Sequence, residues 1–107
     1  MTDDELAAGF EGGTLQPAAF GHREHVRLTW LYLVRRGRLE AERRMLDGLR
    51  ALAARAGRPG KFSAVLTMAW VATIADAIAD HPGAASFDEL VAAAPQLLDR
   101  AAGGAAP

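Results

Sequence analysis

Two histidines three positions apart, His22 and His25, are the residues of this sequence best suited to chemistry. On a helix, this spacing places both imidazoles on neighbouring turns of one side, where they can reach a common point. A catalytic zinc site uses three protein ligands, and non-haem iron uses two histidines with a carboxylate, so the pair is one ligand short. Glu24, Asp76 and Asp80 are available carboxylates, but the pattern places none of them opposite the histidines. We therefore favour a pocket lined by histidine, and the alternative is a metal-binding protein or metal-dependent enzyme that uses His22 and His25.

Two hydroxyl residues and two tryptophans complete the candidate site. Ser63 lacks the elbow motif and the orienting acid of a nucleophilic serine, so it better suits the lining of a cavity. Trp30 and Trp70 either flank a flat ligand or fill the core, which is the commoner role of a buried tryptophan. The predicted ligand-binding residues are His22, His25, Trp30, Ser63, Thr67 and Trp70. No catalytic residue is assigned, and no cofactor is expected.

Glycines, prolines and capping residues divide the chain into helical segments that must position these side chains. Thr2 with Glu5, and Ser86 with Glu89, have the spacing of capping boxes. The second long segment has an apolar stripe that includes Leu39, whereas the third is apolar on almost every face, which is typical of a central, buried helix. The predicted segments are residues 2–10, 21–37, 38–56 and 61–80, a helix from 86, and a further turn from 95.

The fold class that these segments predict is all-α, a compact bundle of four main helices with a short N-terminal helix. Residues 1–19 are predicted to form the short helix and a linker, residues 20–100 the bundle, and residues 101–107 a disordered tail. In an up-down-up order the first and third long helices run parallel and begin at the same end. We therefore expect His22 or His25 to lie roughly 4–5 Å from Ser63 or Thr67.

Composition excludes several classes of function. The 107 residues fit one domain, and the net charge of −1 argues against a protein that binds nucleic acid through its phosphates. The chain has no cysteine, which excludes disulfides and thiolate chemistry. Segment 61–80 is marginally long enough to cross a bilayer, but Asp76 and its many alanines argue against a membrane partner. An acidic N-terminus, where a secretory signal would be basic, predicts a cytoplasmic protein.

Three motifs resemble those of a family of small, uncharacterised, all-helical bacterial proteins. Residues 20–33 fit the pattern F-x-H-x-x-H-V-R-L-x-W-x-Y-L. Residues 60–70, G-K-F-S-A-V-L-T-M-A-W, are similar to a second family motif, G-K-Y-H-E-T-x-T-x-x-W. Residues 86–90 and 95–99 are similar to a third, S-F-x-x-F followed by N-P-x-L-L-D. The resemblance covers about residues 20–100, and it implies a helical fold but no established reaction.

The second motif is degenerate in this chain, because Ser63 and Ala64 stand where the family pattern has histidine and glutamate. The resemblance implies that relatives could assemble a metal site from two histidines of one helix with histidine and glutamate of another. This chain keeps half of that set. Either the metal chemistry is lost, or the pocket now holds an organic ligand.

The leading hypothesis is therefore a non-catalytic small-molecule-binding or accessory protein with a degenerate histidine pocket. A composition rich in alanine, glycine and arginine is typical of a GC-rich genome, and we associate it with bacterial specialised metabolism. A third hypothesis, beside the metal-binding alternative, is a ligand-free accessory protein that forms a homodimer, because an alanine-rich bundle gains buried surface by pairing.

Overall fold

The computed structural model describes residues 1–100, and the predicted disordered tail, 101–107, lies outside the described residues. Over the described residues the chain is all-α, with no strand. Five α-helices form: α1 (Asp3–Gly12), α2 (His22–Arg36), α3 (Arg38–Arg55), α4 (Ala64–Asp80) and α5 (Phe87–Ala93). Short 3₁₀ turns cover Pro17–Ala19, Pro59–Lys61 and Pro95–Leu98. The predicted fourth main helix, α5, is only seven residues long, so three long helices carry the fold.

Local signals explain where the helices begin and end. The hydroxyl of Thr2 accepts the Glu5 N–H at 3.1 Å, and the Glu5 carboxylate accepts the Thr2 N–H at 2.8 Å, which completes the predicted capping box. Gly13 ends α1 in the left-handed region, at φ 73°. Ser63 caps α4 by accepting the Leu66 N–H at 3.1 Å. Helix α4 therefore begins three residues later than the predicted start at residue 61.

Helix α2 is the centre of the bundle. It contributes Leu28, Leu31 and Tyr32 to a first buried cluster shared with α1, α3 and α4. On another side it contributes Val26 to a second cluster shared with α4, α5 and the last 3₁₀ turn. Trp30, on the same helix, packs against both clusters. Helices α2 and α4 therefore both contribute to the two cores.

Helix α4 is not the fully buried helix that its apolar sequence predicts. Val65 is 79% exposed, and Leu66 and Met68 are also exposed, whereas Val71 and Ile74 are buried. In its first half α4 is therefore buried on one side only, since Thr67 is 3% exposed. Leu39, predicted as part of the apolar stripe of α3, is 82% exposed, although Ala41, two residues later, is buried.

The N-terminal residues are part of the same packed unit. Leu6, Phe10 and Leu15 are buried in the first cluster. Arg27 pairs with Asp3 at 2.7 Å, which ties the start of α1 to α2. The short N-terminal helix and the residues after it therefore pack against the helices that follow.

Close packing of Phe10 on Gly48 sets the distance between α1 and α3. The Phe10 ring occupies the space where a Cβ atom on Gly48 would lie. Glycine inside a helix costs about 1 kcal/mol relative to alanine, so the sequence would gain helix propensity by replacing it. The close approach of the ring explains why glycine is needed at this position.

We predict that Gly48→Ala lowers the free energy of unfolding by about 1–3 kcal/mol, the range for overpacking a core. Gly12→Ala is the matched control, because a Cβ atom there meets nothing within 4 Å. The control is expected to be neutral or slightly stabilising. Chemical denaturation of both variants measures the difference. A Gly48→Ala variant as stable as the control would contradict the packing role of this glycine.

Candidate functional site

The first turns of α2 and α4 face one pocket, which has a volume of about 350 Å³. His22 and His25 line it from α2, and Ser63, Thr67 and Trp70 line it from α4 and its cap. Both helices therefore begin at the same end of the bundle, as the up-down-up order predicts. Five of the six predicted site residues lie in this lining.

Trp30, the sixth predicted residue, lies outside the lining. Its ring packs against Phe87, with 6.1 Å between ring centroids, and it fills space between the two cores. Of the two roles weighed for Trp30 and Trp70, Trp30 takes the core role. Trp70 is buried in the second cluster and also lines the pocket.

The two histidines differ in their hydrogen bonding. His22 Nε2 lies 2.9 Å from the carbonyl oxygen of Leu97. A carbonyl only accepts, so His22 Nε2 carries the hydrogen and donates it. This bond fastens the last 3₁₀ turn to the start of α2. His22 is therefore committed to a structural contact through one nitrogen.

His25 has no such partner. Its Nε2 atom is buried and makes no hydrogen bond within the described part of the chain. Rings surround the imidazole: Phe20 and Trp70 each lie 6.3 Å from it, and His22 lies 6.2 Å away, between centroids. An unpaired buried polar atom costs about 1–3 kcal/mol, so it marks a place where a partner from outside the fold would be stabilising.

Burial lowers the pKa of His25 from 6.5 to about 4, because the apolar surroundings disfavour the charged imidazolium. The positive charges of His22 and Arg100 act in the same direction. His25 is therefore neutral at physiological pH, with one ring nitrogen that donates and one that accepts. A histidine with this pKa is a weak base.

The two hydroxyl groups of the pocket form hydrogen bonds with the backbone at the start of α4. Thr67 donates its hydrogen bond to the carbonyl oxygen of Ser63 at 2.7 Å, and Ser63 Oγ accepts the Leu66 N–H. Neither is activated as a nucleophile by these contacts. Ala64, the other degenerate position of the second motif, is exposed and does not line the pocket.

The predicted metal alternative lacks ligands in the described residues. The Glu24 carboxylate accepts the Gly21 N–H at 2.8 Å and so caps the start of α2. Asp76 and Asp80 are exposed on the later turns of α4. No group of three or more histidine or carboxylate side chains comes together within residues 1–100 in a way that could hold a metal ion.

Sequence reasoning missed one wall and the mouth of the pocket. Leu49, Leu52 and Ala53 form the wall from α3, a helix interpreted as scaffold. Phe20 and Phe62 add aromatic surface, and the cationic residues at the pocket are Arg58, Lys61 and Arg100. Phe20 and Phe62 could have been found from the sequence, because each lies two residues before the start of a helix that carries predicted site residues.

Comparison with known proteins returned no match to a protein family, a curated protein or a solved structure. Within residues 1–100, no helix combines the length and the apolar character needed to cross a bilayer.

We predict that His25 makes stability depend on pH. Its pKa is about 4 in the fold and about 6.5 when unfolded, so the unfolded chain binds the extra proton as the pH falls. The free energy of unfolding should decrease between about pH 6.5 and pH 4, by up to about 3 kcal/mol.

His25→Phe keeps an aromatic ring and removes the titrating group, so its unfolding free energy should lack this part of the pH dependence. Denaturant titrations of both proteins at about pH 7, 5.5 and 4 isolate the contribution of His25, because all other groups are shared. Identical pH profiles for the two proteins would show that the imidazole is not held neutral by burial.

Proposed function

We propose that the protein binds a small organic molecule in the pocket between the starts of α2 and α4 and the second half of α3, without a catalytic step. The observation that carries the proposal is a pocket of about 350 Å³ with aromatic and apolar walls around an unpaired imidazole. Small-molecule sites typically have volumes of about 300–1,000 Å³, mostly apolar walls and few polar groups.

The walls suit a flat ligand. Trp70 and Phe62 present rings on the α4 side, and Leu49 and Leu52 present aliphatic surface on the α3 side. The guanidinium of Arg50 lies over the Phe62 ring, 4.9 Å from the ring centroid, in a cation–π contact. Aromatic rings bind flat molecules by stacking or edge contacts.

The chemistry of the lining favours binding over catalysis. A general base works best when its pKa lies near the working pH, and that of His25 is lowered to about 4. The Ser63 hydroxyl caps α4, and no carboxylate lines the pocket among residues 1–100. The residues that remain can orient a ligand by hydrogen bonding.

The resemblance to the small helical bacterial family supports the same proposal. Ser63 stands at the position of the family's second-motif histidine, and it lines the pocket beside His22 and His25. Replacing a ligand residue by serine frees space for an organic molecule. A role in bacterial specialised metabolism and a cytoplasmic location remain part of this proposal.

Self-association is a second candidate function, supported by a different observation. Val65 and Met68 lie three residues apart on the exposed side of α4, with Leu66 beside them. Residues at this spacing share a helix face, so they form an apolar patch that a second copy of the chain could cover.

We predict that Ala53→Phe abolishes binding of a neutral aromatic probe. Ala53 lines the pocket from α3, so a phenyl ring there fills the cavity. N-phenyl-1-naphthylamine, which fluoresces in apolar surroundings, should bind the parent protein with one-to-one stoichiometry and bind the variant at least about tenfold more weakly, a loss of about 1.4 kcal/mol or more.

Ala51→Phe is the matched control, since Ala51 is exposed on the same helix and does not line the pocket. Far-ultraviolet circular dichroism and cooperative unfolding check that all three proteins are folded. Equal probe binding by the two phenylalanine variants would place the probe outside the pocket. Failure of the parent protein to bind the probe would argue against a ligand-binding function.

We predict for the second candidate that Val65→Lys lowers the mass measured by sedimentation equilibrium from dimer to monomer, since a charge in the patch opposes its burial. Ala79→Lys, an exposed change later on α4, should leave the mass unchanged. A monomeric parent protein at high concentration would remove this candidate.

A further inference from the structure

All the charged side chains that line the pocket are cationic. Arg58, Lys61 and Arg100 contribute to the lining, and among residues 1–100 no aspartate or glutamate does. All three are exposed, which places their charges at the mouth. The whole chain has a net charge of −1, so this positive charge is local to the pocket.

These cations are also unlike most of the other arginines. Six arginines form ion pairs with carboxylates: Arg23, Arg27, Arg35, Arg38, Arg43 and Arg44. Within residues 1–100, Arg58, Lys61 and Arg100 form none. Over residues 1–100, these three side chains therefore differ from the arginines that a carboxylate pairs.

Charge at the mouth also acts on a residue inside the pocket. Burial is the main cause of the lowered pKa of His25, and the charges of His22 and then Arg100 are the smaller causes. The same field opposes a cationic ligand and favours a negative group near the mouth.

We propose that the ligand is an organic anion with a flat apolar body and one acidic group. The body lies between the aromatic and aliphatic walls, and the acidic group lies at the mouth, near Arg58, Lys61 and Arg100. This inference rests on the proposed binding function and adds the charge of the ligand. A carboxylate, sulfonate or phosphate group has the required chemistry, since each accepts hydrogen bonds from arginine and lysine.

A matched pair of probes tests the charge directly. 1-Anilinonaphthalene-8-sulfonate and N-phenyl-1-naphthylamine share one aromatic skeleton and differ by the sulfonate. Each exposed cation is expected to strengthen anion binding about two- to fivefold, so three together should make the sulfonate bind about 10- to 100-fold more tightly at low ionic strength. High salt should shrink the difference, because it screens exposed charges.

Single substitutions assign the effect to the mouth. Arg58→Gln, Lys61→Gln and Arg100→Gln should each weaken sulfonate binding about two- to fivefold and leave the neutral probe unchanged. Arg36→Gln is the matched control, because Arg36 is exposed in the last turn of α2, does not line the pocket, and loses the same charge. It should leave both probes unchanged.

The outcomes separate the ligand class from the binding function. Equal affinities for the two probes at both salt concentrations would overturn the anion proposal and leave the pocket as a site for neutral molecules. Sulfonate binding that Ala53→Phe does not weaken would also overturn it, since the probe would then lie on the surface. If the parent protein does not bind the neutral probe, the result would count against the binding function itself.

Discussion

The contact of Phe10 with Gly48 is the constraint on which the site depends. It brings α1 against α3, and from there a continuous series of rings leads to the pocket. Phe10 stacks on Phe20 at 5.4 Å, Phe20 lies 6.3 Å from His25, and His25 lies 6.3 Å from Trp70, between ring centroids. Aromatic packing of this kind contributes through buried area and ring geometry together. The position of the imidazole is therefore set by the core and not by a polar contact of its own.

The two histidines differ in what their ring nitrogens contact. His22 uses Nε2 to hold the Leu97 carbonyl, and so joins the C-terminal turn to α2. His25 keeps a buried nitrogen without a partner, at a cost of about 1–3 kcal/mol. Packing of the surrounding rings holds the imidazole in place despite this cost.

Local signals in the sequence predicted most of the helices, and tertiary packing decided the rest. The capping pair Thr2 and Glu5, and the glycines and prolines between segments, act within a few residues, so their effects can be inferred without the fold. The exposure of Val65 and Leu39 could not be inferred in this way, because an apolar pattern shows which side chains could be buried and does not show which neighbours cover them. Helix α5 is short for a related reason, since Pro95 directly follows Ala94 and begins a 3₁₀ turn.

Helix geometry explains which site residues could be predicted. Thr67 and Trp70 are three residues apart, so they lie about 60° from each other around α4 and share the pocket side. Trp30 follows His25 by five residues, which places it about 140° around α2 and directs it to the core. By the same count Trp30 lies only about 80° from His22, so the spacing alone did not separate the two tryptophans. No such spacing identifies the α3 wall. Leu49, Leu52 and Ala53 have the pattern of an ordinary apolar stripe, and only the fold shows that they line a pocket. The three cations at the mouth could not be predicted either, because the sequence does not show that the fold brings them to the edge of an apolar cavity.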